Sequence, residues 1–140
     1  MHRLTTCVAA TSLVIAACAS GYEFRSDDRP AYDRAVSVEQ LDALQMQGAA
    51  ILDVRLSEDF DADPRLIPNA YYRDPEAIES WARTMTPGAR PVVVYCVRGR
   101  WVSQKAAKYL DDRGFDVYIL DGGIEAWQRA GRRTDPARLE

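Results

Sequence analysis

Two apolar runs stand out along the chain, Ala49 to Val54, broken only by Asp53, and Val92 to Tyr95. Runs of this length suit strands covered on both faces, as in a parallel sheet. A third stretch, Phe115 to Leu120, alternates with Phe115, Val117 and Ile119 on one side and predicts another strand. Helical signals lie between and around these runs. Ser37 with Gln40 three residues on is a capping box, followed by Val38, Leu41 and Leu44 before Gly48 stops the helix. Asp74-Pro75 pairs an N-cap with proline at the first helical position and sends Ile78 and Trp81 inward. Val102, Ala106 and Leu110 recur every four residues in a helix running from Ser103 to Gly114. After Gly122-Gly123, Ile124 to Ala130 forms a last helix around Trp127. Ser57 is expected to cap a short turn carrying Phe60. Asp61 to Arg65 reads as a polar loop, and Ile67-Pro-Asn-Ala70 leads into a short extended piece at Tyr71 and Tyr72. Strands alternating with helices predict a single α/β domain over residues 36–130, its parallel sheet flanked by helices on both faces.

The ends read differently. Residues 1–18 combine Arg3 with an uncharged, mostly apolar stretch from Leu4 to Ala17, the pattern of an export signal. Ile15-Ala-Ala-Cys18 resembles a bacterial lipoprotein box, which implies cleavage before Cys18 and diacylglyceryl attachment to its sulfur. Ordinary signal-peptidase cleavage after Ala19 is the alternative. Export places the domain in the periplasm, and lipidation would anchor it to a membrane. Residues 19–35 are polar and aperiodic and read as a tether. Residues 131–140 form the C-terminal tail, with Pro136 to Glu140 expected to fray.

Composition narrows the chemistry. A length of 140 residues with 47% hydrophobic content allows one domain with a real core. Lys and Arg number 18 against 21 Asp and Glu, so no basic excess points to nucleic acid. The only histidine is His2, which removes Ser-His-Asp and Cys-His catalysis from the domain. Cys7, Cys18 and Cys96 are too scattered for a zinc or Cys-x-x-Cys site, so no metal is expected. Export and lipidation would leave Cys96 as the one free thiol.

That thiol ends the Val92–Tyr95 run and is followed by a short basic turn holding Arg98, Gly99 and Arg100. Strand, tight turn and helix in this order gather main-chain N–H groups around an anion such as a thiolate. Flanking donors and cations favour the nucleophilic thiolate form. A buried structural thiol would account for a cysteine at a strand end but not for the turn beside it. Arg98 and Arg100 are candidates for binding an anionic substrate, and Trp101 either walls the pocket or packs under the loop. Gly99 marks a position of positive φ or close approach. Asp53 and Arg55, at another strand end, read as an ion pair bracing the loop.

Four separated stretches together resemble the rhodanese (sulfurtransferase) family: Leu52-Asp-Val-Arg55; Ile67-Pro-Asn-Ala70; Tyr95-Cys-Val-Arg-Gly99 with Ser103 and Ala106-Ala107; and Leu120-Asp-Gly-Gly-Ile-Glu-Ala-Trp127. The resemblance implies a five-stranded parallel sheet and makes Cys96 the nucleophile that accepts sulfane sulfur. Implied partners are a small anionic sulfur donor such as thiosulfate and a thiol, cyanide or protein acceptor, with no cofactor. Ser103 falls among the residues supporting the loop. Two departures stand out. The usual loop reads cysteine, two residues, glycine, one residue, Arg-Ser, and here it is one residue longer, with Arg100 and Trp101 after Gly99 and the serine only at 103. Pro64-Arg-Leu66 replaces the usual Gly-His before Ile67. The longer loop matches dual-specificity phosphatases and arsenate reductases, but Val102 stands where those enzymes need arginine. A noncatalytic persulfide carrier is the remaining alternative.

Overall fold

The computed structural model describes residues 32–138. The export segment, Cys18 and most of the tether lie outside them. Five strands form the main sheet: β1 (Ala35–Val36), β2 (Ala50–Asp53), β4 (Ala70–Tyr72), β5 (Val92–Tyr95) and β6 (Val117–Leu120). All pair in parallel, in the order β1-β6-β5-β2-β4. This is the five-stranded parallel sheet the sequence implied.

The helices are α1 (Val38–Met46), α2 (Ser57–Ala62), α3 (Ile78–Ala82), α4 (Trp101–Asp111) and α5 (Gly123–Arg129). The two-residue alternation of each strand divides the core. Leu52, Val54, Val92, Val94, Val117 and Ile119 pack with Val102, Ala106 and Leu110 of α4. Ile51, Val93, Tyr95 and Leu120 face the other way, against Leu41 of α1 and Ile124 and Trp127 of α5. Cys96 continues the Val92–Val94 parity and therefore lies on the α4 side.

The capping box of α1 is complete: Ser37 Oγ accepts the Gln40 N–H at 3.2 Å, and Gln40 Oε1 accepts the Ser37 N–H at 2.8 Å. Asp74 caps as expected, accepting the Glu76 N–H, but the first turn it caps is a 3-10 turn (Pro75–Ala77) that runs into α3. Other boundaries differ from expectation. Ser57 is the first residue of α2 and caps nothing, because Leu56 occupies the N-cap position. Residues 61–62 complete α2, and Arg65–Leu66 form a strand, β3, instead of ending a polar loop. Its partner is β7 (Asp135–Pro136), antiparallel, and the Ala137 N–H adds a bond to Pro64 O at 2.9 Å. The C-terminal segment is thus paired rather than frayed through Ala137, and Pro136 is tolerated because this strand is an edge. Phe115 precedes β6, its N–H bonded to Leu110 O at the end of α4. At the other end the fold begins before Val36. Arg34 pairs with Asp116 at 2.6 Å, and the Tyr32 hydroxyl donates to Val117 O.

A buried ion pair fixes the end of β2. Arg55 Nε meets Asp53 Oδ2 at 2.9 Å and Nη2 meets it at 2.6 Å, with the two side chains 3% and 0% exposed. Two of the three remaining guanidinium hydrogens go to Asp63 O and Arg65 O, both at 2.9 Å. The pair therefore holds the segment that carries β3, so removing one partner strands a buried charge.

Two outcomes follow for stability. Asp53→Ala should destabilise the fold by about 3–5 kcal/mol in urea unfolding, since Arg55 is left buried and unpaired. Burial, reinforced by the nearby Asp111 charge, pushes the Tyr32 hydroxyl from 10.0 up to about 12. A folded pKa above the unfolded one adds stability that is complete below pH 10 and is lost as pH rises towards about 12. Unfolding curves across that window should fall less steeply with pH for Tyr32→Phe than for the wild type.

Candidate active site

Cys96 follows the last residue of β5 and is 5% exposed. Two groups reach its sulfur. The Arg100 N–H donates to Sγ at 3.3 Å, and Ser103 Oγ lies 3.4 Å away. Ser103 is fully buried, and its hydroxyl also reaches Arg100 O at 3.0 Å. With its proton on Arg100 O, the serine oxygen can accept the thiol S–H. Once the thiol ionises, the same hydroxyl can rotate to donate to the sulfur. Helix α4 begins at Trp101, two residues before the Ser103 start expected from the sequence, with Arg100 as N-cap, and Ser103 therefore sits in the first turn beside the thiol.

The loop rests on the turn between β6 and α5. Cys96 O accepts the Ile124 N–H at 3.0 Å and Val97 O accepts the Glu125 N–H at 3.1 Å. The approach leaves no room for side chains. A Cβ on Gly123 would lie 2.3 Å from Cys96 O, and one on Gly99, whose φ is +68°, would lie 2.7 Å from Leu120 O.

The other predicted residues divide into those at the loop and those away from it. Arg100 contributes its main chain to the thiol, while its side chain is exposed. Arg98 is 61% exposed and donates from Nε to both Glu125 carboxylate oxygens at 3.1 Å. Trp101 is 49% exposed and does not pack under the loop. Instead it walls a groove of about 130 Å³ with Leu56, Ile78, Val102 and Tyr109. Asp53 and Arg55 spend their side-chain bonds on each other and on residues 63 and 65, and none of these bonds reaches Cys96. Cys18 lies outside the described residues.

Sequence reasoning misses Glu125 and Arg129. Glu125 lies within the Leu120–Trp127 stretch and stands out there only as part of that signature, and Arg129 merges into the last helix. Their four-residue spacing is the available signal, and in the structure Arg129 Nη1 stands 4.0 Å from Glu125.

Comparison with known proteins gives the family. The family model described as the rhodanese-like domain matches residues 37–130. The chain is 38% identical over 96 residues to thiosulfate sulfurtransferase GlpE of Pseudomonas syringae pv. syringae, covering 68% of this chain and 87% of that protein. Among solved structures, a rhodanese homolog from Thermus thermophilus is 32% identical, with a TM-score of 0.52 over 66% of this chain and 99% of the other. A protein of unknown function from Rhodopseudomonas palustris, titled a possible tyrosine phosphatase, is 26% identical, with a TM-score of 0.61 over 73% of this chain and 84% of that one. The family match runs from the capping box of α1 to the end of α5 and takes in the thiol, its loop and the turn beneath it. The chain therefore belongs to the rhodanese-like domain family.

Proposed function

We propose that this protein is a sulfurtransferase that carries sulfane sulfur on Cys96, from thiosulfate or a related anionic donor to a thiophilic acceptor. Family membership and relatives named thiosulfate sulfurtransferase support sulfur transfer in general. The observation that carries the finer reading is the pair of polar groups, Arg100 N–H and Ser103 Oγ, within 3.4 Å of a buried sulfur. A structural thiol has no need of them.

The Cys96 thiolate attacks the outer sulfur of thiosulfate. A new S–S bond forms to Cys96 as the donor's own S–S bond breaks, and sulfite leaves with the bonding electron pair. The product is a Cys96 persulfide anion, which Arg100 N–H and the Ser103 hydroxyl are placed to stabilise. Cyanide, a thiol or a protein acceptor then attacks the terminal sulfur and releases the Cys96 thiolate. No proton is transferred in either step when cyanide is the acceptor, so no histidine base is required. The phosphatase reading is disfavoured by Val102, whose apolar side chain packs in the α4 core where an oxyanion-binding arginine would be needed. Cys96 is also the sole free cysteine among the described residues, which leaves an arsenate reductase there without a resolving thiol. We further infer export and lipid attachment at Cys18, supported by the sequence pattern of residues 1–18.

Incubating the full chain with thiosulfate and cyanide should yield thiocyanate, and Cys96→Ser should lower that rate roughly a thousandfold or more. A stable persulfide with no turnover would instead identify a carrier. Hydrolysis of a phosphoester by the wild type alone would replace the assignment with phosphatase chemistry. For the N-terminus, globomycin should block maturation of the expressed chain, and the Cys18→Ser variant should lose its lipid. Processing that is insensitive to the inhibitor would point to ordinary signal cleavage.

A further inference from the structure

We propose that Arg98 and Arg129 form an anion clamp at the rim of the Cys96 loop, and that Glu125 is its built-in competitor, occupying the two arginines until a dianionic donor displaces it. This deepens the sulfurtransferase reading and rests on it for the identity of the donor. Glu125 receives Arg98 Nε on both oxygens at 3.1 Å and lies 4.0 Å from Arg129 Nη1. Two cations on one carboxylate leave the cluster with a net positive charge. Arg98 uses only its Nε toward Glu125, and its two Nη groups have no hydrogen-bond partner among the described residues. They can make first contact with a sulfonate group, and once Glu125 gives way Nε and one Nη take two of its oxygens in the fork geometry that guanidinium favours.

The cluster is tied to the nucleophile by the backbone. Arg98 is two residues from Cys96, and the Glu125 N–H bonds Val97 O. Arg129 Nη2 reaches over the Gly122 turn, within 3.6 Å of where a Gly122 Cβ would sit, and Gly99 of the nucleophile loop presses on that same turn. Both arginines are mostly exposed, at 61% and 70%, so their pairing with Glu125 is weak and an entering dianion can displace it. Without the carboxylate two adjacent guanidiniums would repel each other, so Glu125 keeps the empty clamp together. The carboxylate also repels any anion it does not yield to. Monoanionic or neutral donors gain less from displacing it, and the clamp therefore selects for charge.

The test is steady-state transfer from thiosulfate to cyanide by the full chain, together with protection of Cys96 from iodoacetamide by sulfate, a dianion that cannot form a persulfide. Arg129→Gln should raise the KM for thiosulfate and the protecting sulfate concentration by roughly threefold to tenfold, as expected for one charge a short distance from a dianion in water. Glu125→Gln, which keeps an acceptor for Arg98 Nε, should lower both by a similar factor. That gain should vanish in Glu125→Gln combined with Arg98→Gln and Arg129→Gln, and it should shrink in high salt. Unchanged values in both single variants overturn the clamp, as does a rise in both quantities for Glu125→Gln, which would make Glu125 a purely structural support. The alkylation arm needs no turnover. Absence of thiocyanate in the wild type would therefore count against sulfur transfer, while sulfate protection in the same variants would still support or overturn the clamp.

Discussion

Two main-chain hydrogen bonds hold the nucleophile where it is: Ile124 N–H to Cys96 O and Glu125 N–H to Val97 O. They require the loop after β5 to lie directly on the turn after β6, with backbone against backbone. Such contact is possible only where both chains lack side chains, and Gly99 and Gly123 supply that condition. The loop cannot relax outward without breaking these bonds, nor inward without striking Leu120 O. Its curvature is thereby fixed, and with it the direction of the Arg100 N–H towards the sulfur. The main-chain donor at the sulfur is thus placed by packing between two turns.

Strand parity completes the arrangement. Cys96 shares a face with Val92 and Val94, so its sulfur meets α4 rather than α5. The fully buried residue it finds there is Ser103. The loop is also longer than the family's usual one. Within it Trp101 lies at the surface, and Val102 packs in the α4 core as an ordinary apolar side chain. The aromatic wall beside the groove is thus part of this longer loop.

Much of this is legible in the chain because it is local. Val92–Tyr95 reads as a buried strand from its own residues, and Ser37 with Gln40 announces a cap within one turn. Cys96, Arg98 and Gly99 can be singled out because a nucleophile, a cation and a glycine fall together at the end of that strand. What escapes is set by contacts distant in sequence. The pairing of Arg65–Leu66 with Asp135–Pro136 spans some 70 residues and involves two-residue strands with no period to detect. Ala35–Val36 is a strand only because β6 offers it an edge. Arg98 is legible beside the thiol, but its partner lies 27 residues away on α5, and no spacing rule links them. Ser57 fails for a different reason: the main chain enters the helix one residue early, and a good capping side chain is left inside it.

The direction of β1 carries one more consequence. It runs parallel to its neighbours, and Tyr32 and Arg34 bond to Val117 and Asp116 at the beginning of β6. The described chain therefore enters at the pole where the strands start, whereas Cys96 sits at the pole where they finish. An attachment upstream of Tyr32, to a surface or to another protein, would grip the domain by its back. The Cys96 loop would then lie on the side away from the attachment, which is the side partners could approach.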